Sequence, residues 1–243
     1  MKKEIKTEER LIVAADYSPK ECGGIRGVEA KVMELALSLR GTGVIIKINS
    51  ILRAVGYDLI KTLHKMGLKV FADLKLVDIP TTMKIDAELL AQVLPDFVTV
   101  MCNAGDGVRV FKDTVGPDCE VLGVTVLTSL NDEKCKAIYS CSCEEGVSRF
   151  AHIANEAGAD GLILSPKEIE IVKRFPGLNL SLNTPGIRPE WSLVENDDQS
   201  RVMTPEKAIK NGADRIVIGR PITGAKNPRK AVIWTLNEIL KAS

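Results

Sequence analysis

The chain has 243 residues, a net charge of +1 from 33 Lys and Arg against 32 Asp and Glu, and 45% hydrophobic residues. This near-neutral balance gives no reason to expect a nucleic acid or an acidic membrane surface as a partner. Every apolar run falls short of the roughly 20 residues that cross a bilayer. The charged start of the chain also lacks the apolar core of a signal peptide. We therefore expect one α/β domain over residues 1–243, in a cytoplasmic protein.

The cysteines and histidines argue against several kinds of site. Six cysteines are spread along the chain without the spacing of a disulfide framework, which favours reduced thiols in a cytosolic protein. Cys135, Cys141 and Cys143 cluster, but a Cys-Ser-Cys group without a second matching pair is a weak metal motif. The two histidines, His64 and His152, both fall in helical patterns, so a His-rich metal site and a Ser-His-Asp triad are disfavoured.

Apolar, β-branched runs alternate with helical patterns along the chain. Near-continuous apolar runs are typical of parallel strands that are covered on both faces. Eight β–α alternations in one domain of this length predict a (β/α)₈ TIM barrel, with a doubly wound sheet as the alternative fold. The predicted strands are 11–15, 44–49, 70–76, 97–101, 121–127, 161–164, 178–182 and 215–218. The predicted helices are 28–40, 56–66, 82–92, 107–114, 144–157, 166–174, 205–211 and 228–240.

The third predicted strand and its end, from Phe71 to Pro80, hold three charged residues in an otherwise apolar segment. At a period of two, Asp73 and Lys75 project from the same face, and Asp78 follows just before the proline that must end the strand. Burying such charges is costly unless they pair or serve a site. An acid, an ammonium and a second acid on a rigid element predict a catalytic group. A surface ion pair on an exposed edge strand is the alternative.

Further polar residues end the other predicted strands, where the chemistry of a barrel gathers. Asp16 and Lys47 lie at or near the ends of strands 1 and 2. Alternating Lys and Asp around one cavity can keep every member ionised, because each charge offsets the desolvation of its neighbour. The alternatives are a snorkelling lysine for Lys47 and a helix cap or turn residue for Asp16. Strands 5, 7 and 8 end in Thr128 and Ser129, in Pro185-Gly186-Ile187-Arg188, and in Gly219-Arg220.

The loops after strands 7 and 8 are the usual phosphate site of this barrel class. Gly219 would let backbone N–H groups approach an anion closely, and Arg220 adds a permanently charged guanidinium. Arg188 could supply a second cation, and Gln199 could donate an amide hydrogen bond. A surface ion pair is the alternative for Arg220. The polar, irregular segment 189–199 is our candidate for a lid.

The run Asp73-Leu74-Lys75-Leu76-Val77-Asp78-Ile79-Pro80 resembles the Asp-x-Lys-x-x-Asp-Ile-Pro signature of orotidine 5′-phosphate decarboxylases. The resemblance extends over nearly the whole chain, through Asp16, Lys47 and the blocks 127–129, 184–189, 198–205 and 218–222. Several separate blocks in the same order argue against a chance similarity. The resemblance implies decarboxylation of orotidine 5′-phosphate to uridine 5′-phosphate, the last step of de novo pyrimidine synthesis. It also implies that neither a metal nor an organic cofactor takes part.

The resemblance implies a role for individual residues as well. Lys75 would protonate C6 as carbon dioxide leaves, and Asp73 would lie against the leaving carboxylate. Lys47 would join the charge network and the ribose contacts. Asp78 would reach the active site of the partner subunit, which would make a homodimer the catalytic unit. The other implied substrate contacts are Asp16 at a ribose hydroxyl, Ile79 and Thr82 after strand 3, Thr128 and Ser129 at the pyrimidine, Pro185 after strand 7, and Arg188, Gln199, Gly219 and Arg220 at the phosphate.

Two positions depart from the family's pattern, and two other functions remain open. Asn49 stands where glycine is usual, with a small expected effect because Asn tolerates a left-handed backbone. Met101 occupies a position at or near which the family commonly has a histidine. The local packing, and any role of that histidine, therefore cannot be carried over to this chain. A magnesium-dependent phosphosugar decarboxylase or aldolase of the same suprafamily shares Asp-x-Lys-x-x-Asp, but generally continues with Ala-Gly rather than Ile79-Pro80. A non-catalytic nucleotide-binding homologue would keep the phosphate residues, although intact Lys75 and Asp73 argue against it.

Overall fold

The computed structural model describes residues 4–193 and 203–242, in which eight parallel strands close into a barrel in sequence order. Helices on the outside connect successive strands, so the predicted (β/α)₈ fold is confirmed. The doubly wound alternative is wrong, because β1 pairs with both β2 and β8. The strands are β1 (Leu11–Ala14), β2 (Ile45–Ile48), β3 (Lys69–Leu76), β4 (Phe97–Met101), β5 (Glu120–Val124), β6 (Gly161–Ile163), β7 (Ser181–Thr184) and β8 (Arg215–Ile218).

The helices include four that the sequence patterns did not predict, namely α1, α3, α7 and α11. These are short connecting elements of four to eight residues. A helix of that length is too short to show a clear 3.6-residue repeat of apolar residues. None of the helices in the described ranges is long and apolar enough to span a membrane. The helices are α1 (Pro19–Cys22), α2 (Ile25–Leu39), α3 (Ser50–Val55), α4 (Asp58–Lys65), α5 (Pro80–Ala91), α6 (Asp106–Val115), α7 (Asp132–Tyr139), α8 (Cys143–Glu156), α9 (Ile169–Lys173), α10 (Pro205–Lys210), α11 (Arg220–Thr223) and α12 (Pro228–Leu240).

Apolar side chains fill both layers of the fold. One large cluster lies between the strands and the surrounding helices. A smaller cluster fills the interior of the barrel, where Phe71 and Phe97 pack edge to face with ring centroids 6.1 Å apart. Because side chains fill the interior, the barrel is a solid support and leaves room for a ligand only at its mouth.

A buried arginine closes the N-terminal end of the barrel. Arg215 lies 3.0 Å from a carboxylate oxygen of Glu120 and 3.3 Å from Oδ1 of Asn183, and its guanidinium stacks 4.7 Å from the ring centroid of Phe97. The amide of Asn183 also donates to the Leu162 carbonyl at 3.0 Å. These partners satisfy the Asn183 amide and the terminal nitrogens of Arg215, whereas the buried Nε of Arg215 has no hydrogen-bond partner among the described residues.

Candidate active site

A cavity of about 430 Å³ opens at the C-terminal mouth of the barrel. Apolar side chains that include Phe71, Ile163 and Val217 form part of its wall. The opposite end of the barrel carries none of the cavity's lining residues, in agreement with the usual location of chemistry in this fold. The cavity brings together nine of the predicted site residues, which are Asp16, Lys47, Asp73, Lys75, Thr128, Pro185, Arg188, Gly219 and Arg220.

Four predicted site residues in the described part of the chain do not line this cavity: Asp78, Ile79, Thr82 and Ser129. Asp78 is exposed, and its carboxylate accepts a hydrogen bond from the backbone N–H of Ile79 at 2.7 Å. Ile79 is 66% exposed. Gln199 and much of the candidate lid lie outside the described residues. The roles of these residues therefore stay predictions.

The centre of the cavity is a chain of alternating carboxylates and ammonium groups. Nζ of Lys47 lies 3.0 Å from both carboxylate oxygens of Asp16 and 2.9 Å from Oδ2 of Asp73. Nζ of Lys75 lies 2.6 Å from the other oxygen of Asp73. Lys47 is only 5% exposed, so it does not snorkel to water, and Ser18 rather than Asp16 occupies the N-cap of α1. The alternating network predicted from the sequence is therefore present in the fold.

Electrostatics keeps the buried members of this network charged. Burial by itself would raise the pKa of Asp73, but the ammonium groups of Lys47 and Lys75 hold that pKa below its ordinary value. Burial would likewise lower the pKa of Lys47, but Asp73 and Asp16 outweigh it and raise the pKa above its ordinary value. Both groups are consequently ionised at neutral pH, and each one's charge depends on the other.

Thr99 is a member of the network that the sequence analysis missed. This residue of β4 is fully buried, and its hydroxyl donates to Oδ1 of Asp73 at 2.9 Å. The same hydroxyl oxygen accepts the backbone N–H of Lys75 at 2.9 Å. Threonine is an ordinary residue in a strand, so nothing in the local pattern marked it.

The backbone of Lys75 departs from a regular strand. Its φ is +51°, in the left-handed region, and the register between β3 and β4 shifts between Ala72 and Leu76. A residue other than glycine in the left-handed region costs roughly 1–2 kcal/mol, so neighbouring contacts must hold the Lys75 backbone in this conformation. The hydrogen bond from Lys75 N–H to Thr99 is one such contact. Residue spacing alone did not predict this distortion.

The two departures from the family's pattern have separate outcomes. Asn49 has φ −132°, so its backbone does not need the tolerance of a left-handed conformation, and the small effect expected there stays a prediction. Its side chain instead accepts a hydrogen bond from the N–H of Ser50 and caps α3, which is a common role of asparagine. Met101 is largely buried at the end of β4 and does not line the cavity.

The arginines of the predicted phosphate site stand at the ends of β7 and β8. Arg188 is half-buried, Arg220 is exposed, and both line the cavity. A Cβ atom at Gly219 would lie 3.6 Å from the nearest atom, the carbonyl oxygen of Ala14, which is ordinary contact. Packing within the chain therefore leaves room for a side chain at Gly219. Close approach of a ligand to the backbone is a use for glycine that fits this position.

The cysteines do not contribute to the cavity. None of the six lines the cavity, and all are free. Burial raises the pKa of Cys102 and of Cys119 to about 12, so neither thiol is an active nucleophile at neutral pH. Across residues 4–193 and 203–242, no three His, Cys, Asp or Glu side chains are grouped to hold a metal ion.

The fold and the cavity define a (β/α)₈-barrel enzyme with an ionised Lys–Asp network at its mouth. Residues 9–233 match the model of the Orotidine 5'-phosphate decarboxylase / HUMPS family, and the chain belongs to this family. It is 38% identical to the orotidine 5'-phosphate decarboxylase of Bradyrhizobium sp. (strain BTAi1), over 100% of this chain and 96% of that protein. It is 35% identical to the enzyme of that name from Prochlorococcus marinus, over 95% of this chain and 97% of the relative.

Solved structures agree with the sequence relatives. The crystal structure of orotidine 5'-phosphate decarboxylase from Lactobacillus acidophilus matches with a TM-score of 0.77 and 32% identity, over 95% of this chain and 99% of that chain. The structure of the enzyme from Pyrococcus horikoshii matches with a TM-score of 0.72 and 26% identity, over 95% and 99%. The description of the family names both orotidine 5'-phosphate decarboxylase and HUMPS. The two relatives that align with nearly the whole chain are both named orotidine 5'-phosphate decarboxylase. They favour the decarboxylase over the phosphosugar alternative.

Proposed function

We propose that this protein decarboxylates orotidine 5′-phosphate to uridine 5′-phosphate in pyrimidine biosynthesis, without a metal or organic cofactor. The observation that carries the proposal is the unit of Lys47, Asp73 and Lys75, held by contacts of 2.6–2.9 Å at the mouth of the barrel. Relatives that carry the decarboxylase name over the full length of the chain support it. A cytoplasmic location is part of the same proposal and rests on the reduced cysteines expected from the sequence.

Lys75 is the proposed proton donor. When the bond between C6 and the carboxylate breaks, its electron pair stays on C6, where the pyrimidine ring offers no electron sink. The Lys75 ammonium stabilises this developing charge and then transfers a proton to C6, so carbon dioxide and the nucleotide product leave. Lys75 regains its proton from water, because its side chain is partly exposed. Its contact with Asp73 orients the ammonium before the substrate arrives.

Asp73 supplies a fixed negative charge in this scheme. Lys47 and Lys75 keep its pKa low, so it stays ionised beside the position proposed for the substrate carboxylate. The repulsion between these two carboxylates disappears as carbon dioxide departs, which favours the transition state over the bound substrate. A proton on Asp73 would remove this repulsion, and the ammonium of Lys47 disfavours such protonation.

The remaining contacts bind and orient the nucleotide. Asp16 has a half-exposed carboxylate and suits a ribose hydroxyl, while Thr128 suits the pyrimidine edge. Arg188 and Arg220 provide two cations for the phosphate, with Gly219 between β8 and Arg220. Binding energy at the phosphate can hold C6 against Lys75, although the phosphate itself does not react. Ser129, Pro185 and Gln199 complete the proposed set of substrate contacts.

A homodimer is the second part of the proposal. Val77, Ile79, Ile85 and Leu89 expose large apolar side chains on the segment after β3 and on α5, where a second copy of the chain would cover them. Asp78 lies in the same segment and does not line its own cavity. We propose that Asp78, with Ile79 and Thr82, completes the cavity of the partner subunit.

Mixed subunits test the shared site. If Asp78 acts across the interface, inactive Asp78→Ala and Lys75→Ala chains regain activity when mixed, because each mixed dimer holds one intact site. Random pairing would restore about one quarter of the wild-type activity. A mixture that stays inactive, although light scattering shows mixed dimers, would contradict the role of Asp78 in the partner's site.

The main function is tested by the absorbance change of orotidine 5′-phosphate in the presence of EDTA. We expect turnover by the wild type and a loss of about 10²–10⁴-fold in kcat for Lys75→Ala, the range that a positioned proton donor supplies. Lys69→Ala is the matched control, because Lys69 lies at the other end of the same strand and pairs with Glu9 at 3.0 Å. A folded wild type without turnover would overturn the proposal. Turnover of a phosphosugar that needs magnesium would favour the alternative.

A further inference from the structure

A carboxylate of the C-terminal helix holds the chain just after Arg188. Glu238 of α12 is only 5% exposed, and its two carboxylate oxygens accept the backbone N–H of Glu190 at 3.0 and 3.2 Å. These residues are 48 positions apart in the sequence. A buried carboxylate that binds a backbone N–H in a distant loop fixes the position of that loop.

Glu238 acts as the cap of a short helical turn. Residues Glu190–Ser192 form a 3₁₀ turn whose N-cap position is Pro189, and proline has no side-chain group that could accept a hydrogen bond. Burial raises the pKa of Glu238, while the N–H groups of Glu190 and Trp191 favour its charged form. Glu238 therefore supplies from another helix the acceptor that the turn itself lacks.

An aromatic contact strengthens the same connection. Trp191 packs on Trp234 with ring centroids 5.6 Å apart. Trp234 and Glu238 are four residues apart on α12, so they lie on one face of the helix. This face thus binds the turn in two ways, through the carboxylate and through the indole ring.

The turn is rigidly joined to Arg188. Pro189 separates Arg188 from Glu190, and the ring of a proline fixes its φ, here −59°. On the other side, the N–H of Arg188 donates to the carbonyl of Met203 at 3.0 Å. The backbone of Arg188 is consequently held on both sides, by Met203 and by the Glu238 cap. Removal of either contact would let the guanidinium leave its place at the cavity.

We infer that Glu238 is a positioning residue, which places Arg188 for the substrate phosphate by capping the turn at Glu190. The inference rests on the proposed function, since it takes Arg188 to be a phosphate ligand. Glu238 does not line the cavity, so it acts through the turn next to Arg188 and not by contact with the ligand. Its loss then weakens substrate binding and leaves the chemistry at Lys75 in place.

The test is a double-mutant cycle of Glu238→Ala and Arg188→Ala, with KM and kcat measured for orotidine 5′-phosphate. We expect Glu238→Ala to raise KM about fivefold, the typical effect of losing a helix cap, and to change kcat less than about twofold. In the Arg188→Ala background, the same change should alter KM by less than about twofold, because the group it positions is gone. Glu238→Gln keeps an acceptor oxygen and should recover most of the binding.

Thr235→Ala is the matched control for a general effect on α12. Thr235 is buried on the same helix, and its hydroxyl donates to the carbonyl of Ala231 at 2.9 Å, within the helix itself. Its removal should lower the melting temperature but leave KM unchanged. Equal rises in KM for Thr235→Ala and Glu238→Ala would show a merely structural role and overturn the inference.

Other outcomes separate the inference from the proposed function. Additive effects of Glu238→Ala and Arg188→Ala on KM, in a wild type that turns over, would overturn the positioning role alone. An Arg188→Ala variant with unchanged KM would also overturn it, because Glu238 would then have no phosphate ligand to place. A folded wild type without turnover would remove the proposed function, and the inference with it.

Discussion

Removal of one hydroxyl from β4 tests whether the Lys–Asp network depends on more than its charges. Thr99→Val keeps the shape of the side chain, but removes the donor to Asp73 and the acceptor for the Lys75 N–H. A hydrogen bond to a charged group contributes about 1.5–3 kcal/mol. Asp73 keeps its contacts with Lys47 at 2.9 Å and Lys75 at 2.6 Å, so we expect the lower end of this range.

The expected result for Thr99→Val is a fall of about tenfold in kcat, since each 1.4 kcal/mol changes a rate tenfold. KM should stay within about twofold, because the proposed phosphate ligands stand on other strands. Loss of the hydroxyl also raises the pKa of Asp73 toward its ordinary value. If activity needs the ionised carboxylate, kcat in the variant then falls at a higher pH during acidification than in the wild type. Steady-state absorbance assays over a pH series measure all three quantities.

Two variants make this result specific. Thr99→Ser retains the hydroxyl and should keep kcat within about threefold of the wild type. Thr125→Val makes the same change at a buried threonine whose hydroxyl donates only to the Ile163 carbonyl, at 3.2 Å. A Thr99→Val enzyme with wild-type kcat and pH profile would refute the reasoning. Equal losses for Thr125→Val and Thr99→Val would refute its specificity.

Two further predictions concern stability. Burial raises the pKa of Glu168 from 4.5 to about 7, so the folded chain holds a proton there that the unfolded chain has lost, and stability falls as pH rises through this interval. Glu168→Gln should therefore raise the melting temperature by a few degrees at about pH 8 and change it little at about pH 5. Equal shifts of the melting temperature at the two pH values would contradict the raised pKa of Glu168. Arg215→Met should lower the free energy of unfolding by about 3 kcal/mol in denaturant titrations, because it leaves the Glu120 carboxylate without its partner. The double variant with Glu120→Leu should regain most of that loss, and an unimproved double variant would show that the ion pair is not the cause.

Sequence patterns predicted the fold where strands are continuous and apolar. The predicted bounds of β4 and β8 agree with the structure, because three successive β-branched residues mark each strand. The prediction failed at β7, where 178–182 was expected and Ser181–Thr184 is observed. Asn183 is polar but fully buried, and its amide bonds to Leu162 and Ser181 make that burial possible. The Leu162 partner lies on another strand, 21 residues away, and leaves no local signal in the sequence.

Only part of the candidate site could likewise be predicted from the sequence. Charged residues in apolar strands are conspicuous, so Asp73, Lys75 and Lys47 could be found from the sequence. The contribution of Thr99 could not, because it depends on the register between two strands rather than on an unusual residue type. The cap from Glu238 was equally hidden, since its partner lies on a different element.

The charge balance of the network has a consequence for how a nucleotide approaches the cavity. Asp16 and Asp73 offset Lys47 and Lys75, so these four groups together present no net charge to a molecule in solution. Attraction over distances near the Debye length, about 8 Å at physiological salt, must then come from other charges, and Arg188 and Arg220 line the same cavity. On the proposed function, these two cations attract the substrate phosphate, while the balanced charges of the network act only at close range. Long-range attraction and short-range chemistry thus depend on different residues of one barrel mouth.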